Sequence, residues 1–148
     1  LDTTDADWHR VLDVDLNAVF YGCRAALPGM VSNNWGRIIN LTGMNAIHGY
    51  SGRAPVSVAK HGVWGLTKAL AKEFGPSGIT VNAISPGPIR PEHDDPIQSQ
   101  HLHGQVGRIP LGHLGEPYHI ASLCAYLISD GGGFVSGQMI ACNGAAET

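Results

Sequence analysis

Three short β-type runs, each reached from a segment of helical period, restrict what this chain can fold into more than any other feature. They are Arg37-Ile38-Ile39-Asn40-Leu41-Thr42, the stretch from Ile79 to Ser85, and Gln138-Met139-Ile140-Ala141-Cys142. Ahead of the first, Trp8, Leu12, Leu16, Val19, Phe20, Cys23, Leu27 and Met30 recur at helical spacing. Ahead of the second, Val56, Ala59, Val63, Leu66, Leu70 and Phe74 do the same, and Glu116-Pro117 opens a third helix through Ile128. The order αβαβαβ, with apolar strand centres that read as covered on both faces, predicts an α/β fold with a parallel sheet between helices. Three strands make only about half of a doubly wound sheet.

Turn residues punctuate the pattern. Thr4-Asp5-Ala6-Asp7 reads as a capped helix start with acids in its first turn. Pro28-Gly29 is expected to bend or end that helix, and Asn33-Asn34 and Gly36 lead out of it. Pro55 sits near the second helix start, and Gly75-Pro76-Ser77-Gly78 stops it. Gly62 and Gly65 weaken that helix in isolation, so close packing is expected there. Pro86-Gly87-Pro88 breaks the second strand, and residues 88 to 115 read as a long mobile loop of the kind that forms lids. No Gly-x-Gly-x-x-Gly occurs, and Gly131-Gly132-Gly133 follows a helix, which makes it a turn rather than a phosphate cradle.

Composition excludes several classes. With 148 residues, 43% apolar and 14% charged, the chain reads as a single domain over 1–148 with a real core. A net charge of −3 argues against nucleic acid or anionic lipid as a partner. No apolar run reaches membrane-spanning length, and the polar stretch Leu1-Asp2-Thr3-Thr4-Asp5 is unlike a signal peptide. Cys23, Cys124 and Cys142 are sparse and odd in number, so a reducing, cytoplasmic setting and buried thiols are expected.

At this point the residues resemble a family. Asp7 to Leu16 is similar to the fourth helix of short-chain dehydrogenases/reductases, and Gly36 to Leu41 to their fifth strand. Ala59-Lys60-His61-Gly62, Gly65-Leu66-Thr67 and Ala71-Lys72-Glu73 resemble the fifth helix, and Gly78 to Gly87 the sixth strand with its cofactor turn. Gly115-Glu116-Pro117, Leu127 to Asp130 and Ser136-Gly137-Gln138 resemble the closing segment. The resemblance implies a Rossmann-type sheet, NAD or NADP, carbonyl or alcohol oxidoreductase chemistry on a small molecule, and homo-oligomers packed through the helices at 5–33 and 55–74. It also implies that the first strands, the Gly-rich loop and the adenosine site are not in these residues. The strand at 37–42 would then lack a parallel neighbour on one side, leaving an apolar edge open to another chain.

The family's chemistry needs a phenol four residues before a lysine, which places both on one helix face. The lysine charge favours phenolate, and the phenol exchanges a proton with the substrate oxygen. Lys60 matches the lysine, but Val56 stands where the tyrosine belongs. Gly43 stands at the serine position, with Thr42 adjacent and able to serve if the loop slips by one residue. Asp15 stands at the helix-four asparagine, either as a replacement relay group or as a solvated acid, and Pro91 replaces the threonine after the cofactor turn. The resemblance leaves Lys60, Pro86, Gly87 and Ile89 as the cofactor-binding positions.

Three readings follow. The first is an oxidoreductase by descent in which standard catalysis is not expected. The second is a non-catalytic relative, a pseudoenzyme serving as a binding or oligomerisation module. The third is a repurposed enzyme, independent of nicotinamide, that uses His48, Tyr50 or Asp15. His48, Tyr50, Ser51 and Arg53 crowd the loop before the second helix, and Ser57 shares a face with Lys60. His93, His101 and His103 form no complete ligand set, so no metal is expected.

Overall fold

A computed structural model describes residues 2–91, 102 and 104–146. Helix α1 (Asp5–Leu12) begins where expected. The Thr4 hydroxyl accepts the Asp7 backbone N–H at 3.1 Å and donates to the Asp7 carboxylate at 2.8 Å. One wide π-helical turn, Asp13–Asn17, joins α1 to α2 (Ala18–Ser32), so the two form one helical rod. Pro28 neither ends nor stops that rod. It deletes one backbone donor, yet the helix runs on to Ser32, whose hydroxyl donates to the Gly29 carbonyl at 2.9 Å. Asn34 then adopts a left-handed conformation, φ 49°, that turns the chain into the sheet.

Strand β1 (Gly36–Leu41) pairs in parallel with β2 (Ile79–Pro86), with Ile38 opposite Val81 and Asn40 opposite Ala83. Strand β3 (Met139–Cys142) pairs on the other side of β2, with Ala83 opposite Met139 and Ser85 opposite Ala141. Helix α3 (Ala54–Phe74) makes the crossover from β1 to β2, and α4 (Pro117–Ile128) the crossover from β2 to β3. Start and stop signals act locally here. The N–H of Glu116 donates to His119 Nδ1 at 2.8 Å at the head of α4, and Gly78, at φ 72°, ends the turn after α3.

The main core lies between the sheet and the α2–α3 layer. Cys23, Leu27, Ile38, Leu70, Ile79 and Val81 form it, each apolar side chain contributing about 1.5–3 kcal/mol if fully buried. Expected burial on both faces is met by β2, whose residues 79–85 are all buried. It is only half met by β1. Its Ile38 face is covered, but Ile39 is half-buried and Leu41 is 52% exposed. Among the described residues β1 pairs with β2 alone.

The stretch read as a mobile loop is better organised than expected in its described part. Leu102, Ile109 and Leu114 form a second apolar cluster, packed against Val106 and Ala146. Ile89 and Gly115 form a parallel bridge across it. The cause is ordinary burial: apolar residues spaced through a Pro- and Gly-rich segment fold back on the C-terminal end of the sheet. Positions 93, 101 and 103 lie outside the described residues. The cysteines differ too, because only Cys23 is buried, while Cys124 and Cys142 are half-buried; all three are free thiols.

Candidate active site

The wide turn between α1 and α2 places Asp15 against α3. There the Asp15 carboxylate oxygen Oδ1 lies 3.1 Å from Lys60 Nζ, with the two side chains 30% and 20% exposed. Asp15, half-buried at the helix margin, is thus an ion-pair partner of Lys60. One helical turn before Lys60, Val56 lines a cleft of about 460 Å³ where α1 meets the start of α3, beside Asp7, Val11, Arg53 and Pro55. Ser57, on the same stretch of α3, is turned to the preceding loop, where its hydroxyl accepts the Tyr50 N–H at 3.4 Å.

The serine position is lost in backbone as well as side chain. Gly43 has φ 151° and ψ 173°, a region essentially restricted to glycine. Thr42 does not substitute for it. Its hydroxyl donates to the Ile84 carbonyl at 3.0 Å, it is buried, and its backbone N–H bonds the same carbonyl at 2.9 Å. A slip of one residue would break both bonds.

The turn after β2 is closed at Gly87. The Gly87 N–H donates to the Cys142 carbonyl at 3.0 Å, and a side-chain carbon added at Gly87 would fall 2.5 Å from Asn143 Cα. Only glycine permits this approach. The bridge to Gly115 uses the Pro88 carbonyl and the Arg90 N–H, at 2.9 and 2.8 Å. The N–H and carbonyl of Ile89 therefore face the opposite way.

Among the loop candidates the structure divides His48 from Tyr50. Tyr50 lines a cavity of about 240 Å³ with Met44, Asn45, Arg53, Gln105, Arg108 and Ile109, whereas His48 is exposed and not part of it. Sequence reasoning noticed Arg53 only as part of a crowded loop and did not single out Asn45, Gln105 or Arg108. No pattern marks them, because they converge from segments far apart in the chain. Among the described residues no group of three or more His, Cys, Asp or Glu side chains could hold a metal ion, and no helix is long and apolar enough to cross a membrane.

A three-stranded parallel sheet with crossover helices, a glycine-tight turn after the central strand and a cavity at the strand ends match part of a Rossmann-type fold. The family described as enoyl-(acyl carrier protein) reductase matches residues 1–145. The chain is 40% identical over 141 residues to an acetoacetyl-CoA reductase of Cupriavidus necator, covering 95% of this chain and 57% of that protein. It is 39% identical over 140 residues to a 3-oxoacyl-(acyl-carrier-protein) reductase FabG of Rickettsia felis, covering 95% and 58%. A solved structure of a putative oxidoreductase from Escherichia coli K-12 superposes with a TM-score of 0.86 at 32% identity, covering 98% of this chain and 56% of that one. The chain belongs to the short-chain dehydrogenase/reductase family, and it spans a little over half the length of these relatives.

Proposed function

We propose that this chain is part of an oxidoreductase of the family that has kept its ligand-binding surfaces and given up the helix-borne proton relay. The observation that carries the reading is the Asp15–Lys60 ion pair at 3.1 Å, with Val56 one turn before it. In the family's arrangement the lysine charge acts on a phenol. Here there is no phenol on that helix face, and the charge is met by a carboxylate. Losing a positioned acid/base typically costs about 10² to 10⁴ in rate. Gly43 and Thr42 offer no replacement hydroxyl.

The residues present fit a nicotinamide dinucleotide, NAD or NADP. Ile89 turns its N–H away from Gly115, where it can meet a carboxamide, and Gly87 packs the turn before it closely against Asn143. Lys60 and Asp15 together offer a donor and an acceptor to ribose hydroxyls. When bound, the nicotinamide supplies or accepts hydride. The reading is of a cytoplasmic, metal-free protein that self-associates through α2 and α3. Phe20, Tyr21 and Val58 are exposed on those helices, and Phe20, Leu27, Val31, Leu70 and Phe74 line a groove of about 420 Å³ between them.

The test is cofactor titration and turnover of the full-length protein with small ketones and alcohols. Nicotinamide binding without measurable turnover is the expected result. Turnover that falls at least tenfold on Lys60→Ala would overturn the reading.

A second reading rests on Tyr50, which brings a phenol to the cavity at the strand ends. Tyr50 then passes the proton in place of a helix-borne tyrosine, and Tyr50→Phe abolishes a turnover that Lys60→Ala leaves in place.

A further inference from the structure

Asp15 gives this chain a charge that the family's asparagine at the same position lacks. Its carboxylate stands beside Lys60, Oδ1 to Nζ at 3.1 Å. Both side chains are partly buried, so the two charges are screened less than a pair on the open surface. Among the described residues each forms an ion pair only with the other. The neighbouring carboxylate, Asp13, is taken up on its own helix by Asn17 Nδ2 at 2.7 Å. The site therefore sets one negative charge against one positive charge.

The pair lies at the end of the sheet where the Ile89 turn stands. Lys60 is the seventh residue of α3, within about two turns of its head. Arg53, just before that head, and Pro88, just beyond β2, line one cavity. In the cofactor reading above, Lys60 and Asp15 meet the hydroxyls of the ribose that carries the nicotinamide. The ring is bonded to that ribose, so the charges of the pair act on it through space. Oxidised and reduced nicotinamide differ by a hydride, and the oxidised ring carries one positive charge more. An unopposed ammonium beside the ribose disfavours the oxidised form by like-charge repulsion, and a carboxylate paired with it removes that repulsion.

We propose that Asp15 sets the redox preference of the site: by opposing the charge of Lys60 it shifts binding toward the oxidised dinucleotide. The inference rests on the cofactor reading and adds to it which form of the cofactor the chain is built to hold. Hydrogen bonds to the ribose are common to both forms and cancel in the ratio of their affinities. Charge does not cancel. The ratio therefore separates an electrostatic role of Asp15 from a merely structural one.

Affinities of the full-length protein for NAD and NADH, and for NADP and NADPH, are measured by calorimetry at neutral pH and physiological salt, without substrate. Asp15→Asn is expected to lower the ratio of oxidised to reduced affinity by about threefold or more, and Lys60→Met to raise it by about as much, whatever each does to the separate affinities. The double variant returns the ratio to within about twofold of the unaltered protein. Lys72→Gln removes a positive charge from the same helix, but twelve residues further on, about 18 Å along the axis and beyond the screening length of about 8 Å, and leaves the ratio unchanged. A ratio indifferent to both single variants, single variants that move it in the same direction, or an equal shift in Lys72→Gln would each overturn the proposal and leave the cofactor reading standing. Failure to bind any of the four dinucleotides would overturn both.

Discussion

Asp15 and Lys60 meet across the contact between the wide helical turn and α3, Oδ1 to Nζ at 3.1 Å, and the pair stands where the family's asparagine and lysine stand. π-Helical turns of this kind recur at functional sites. Here the turn delivers a carboxylate to an ammonium. With side chains 30% and 20% exposed, the pair sits between a surface bridge and a buried one. A double-mutant cycle with Asp15→Asn and Lys60→Met, read by urea unfolding, is expected to give a coupling of about 1 kcal/mol after solvent screening. A coupling near zero would make the contact incidental to stability.

A second test concerns the polar chain inside the core. Asn40 donates from Nδ2 to the Thr67 hydroxyl at 3.0 Å, and that hydroxyl donates to the Val63 carbonyl at 2.8 Å. Both residues are buried. Thr67→Val keeps the shape but leaves the Asn40 amide without its acceptor, so a loss of about 1–3 kcal/mol is expected. Equilibrium unfolding of the variant checks this, and a change below about 0.5 kcal/mol would mean that the amide finds another partner.

Cys23 offers a pH-dependent test. Burial pushes its thiol above the ordinary value, and the contact with the Asn40 oxygen at 3.7 Å only partly offsets this. The folded state therefore holds the proton more tightly than the unfolded chain. That stability is fully present below the ordinary thiol value of 9.0 and is lost as pH rises through the raised folded value. Unfolding midpoints measured from pH 8 to 11 are expected to fall less in Cys23→Ala than in the unaltered protein. At pH 8 a thiol reagent is expected to label Cys124 and Cys142 well before Cys23.

Gly78 supplies a backbone test. It has φ 72°, and an added side-chain carbon would sit 2.5 Å from the Asn34 carbonyl oxygen. The obstacle is main chain, which cannot swing aside. Gly78→Ala is expected to destabilise by more than about 1 kcal/mol, read as a lower melting temperature, whereas the same change at Gly65, with open space around it, is expected to be neutral or stabilising.

Element order, the Thr4 cap, the stop after α3 and the all-buried centre of β2 were legible in the sequence, because helical and strand periods and turn chemistry are local properties. The substitutions Val56, Gly43 and Asp15 were equally legible, since Val56 is read against a fixed spacing from Lys60 and the other two against the family-like segments at Gly36–Leu41 and Asp7–Leu16. The apolar cluster in the described part of residues 88–115 was not legible, because Leu102, Ile109 and Leu114 show no period and meet only when the segment folds back. Asn40 was hidden inside an apolar run, and its partner Thr67 lies on a different element.

The sequence by itself determined the αβαβαβ plan, the family and the loss of the phenol. All of these are written in spacing along one chain segment. Only the tertiary structure decided that Asp15 pairs with Lys60, that Thr42 is committed to Ile84, and that Arg53, Arg108 and Asn45 share one cavity. Those are distances between segments far apart in sequence, and they exist only once parallel strands and crossover helices have brought the segments together.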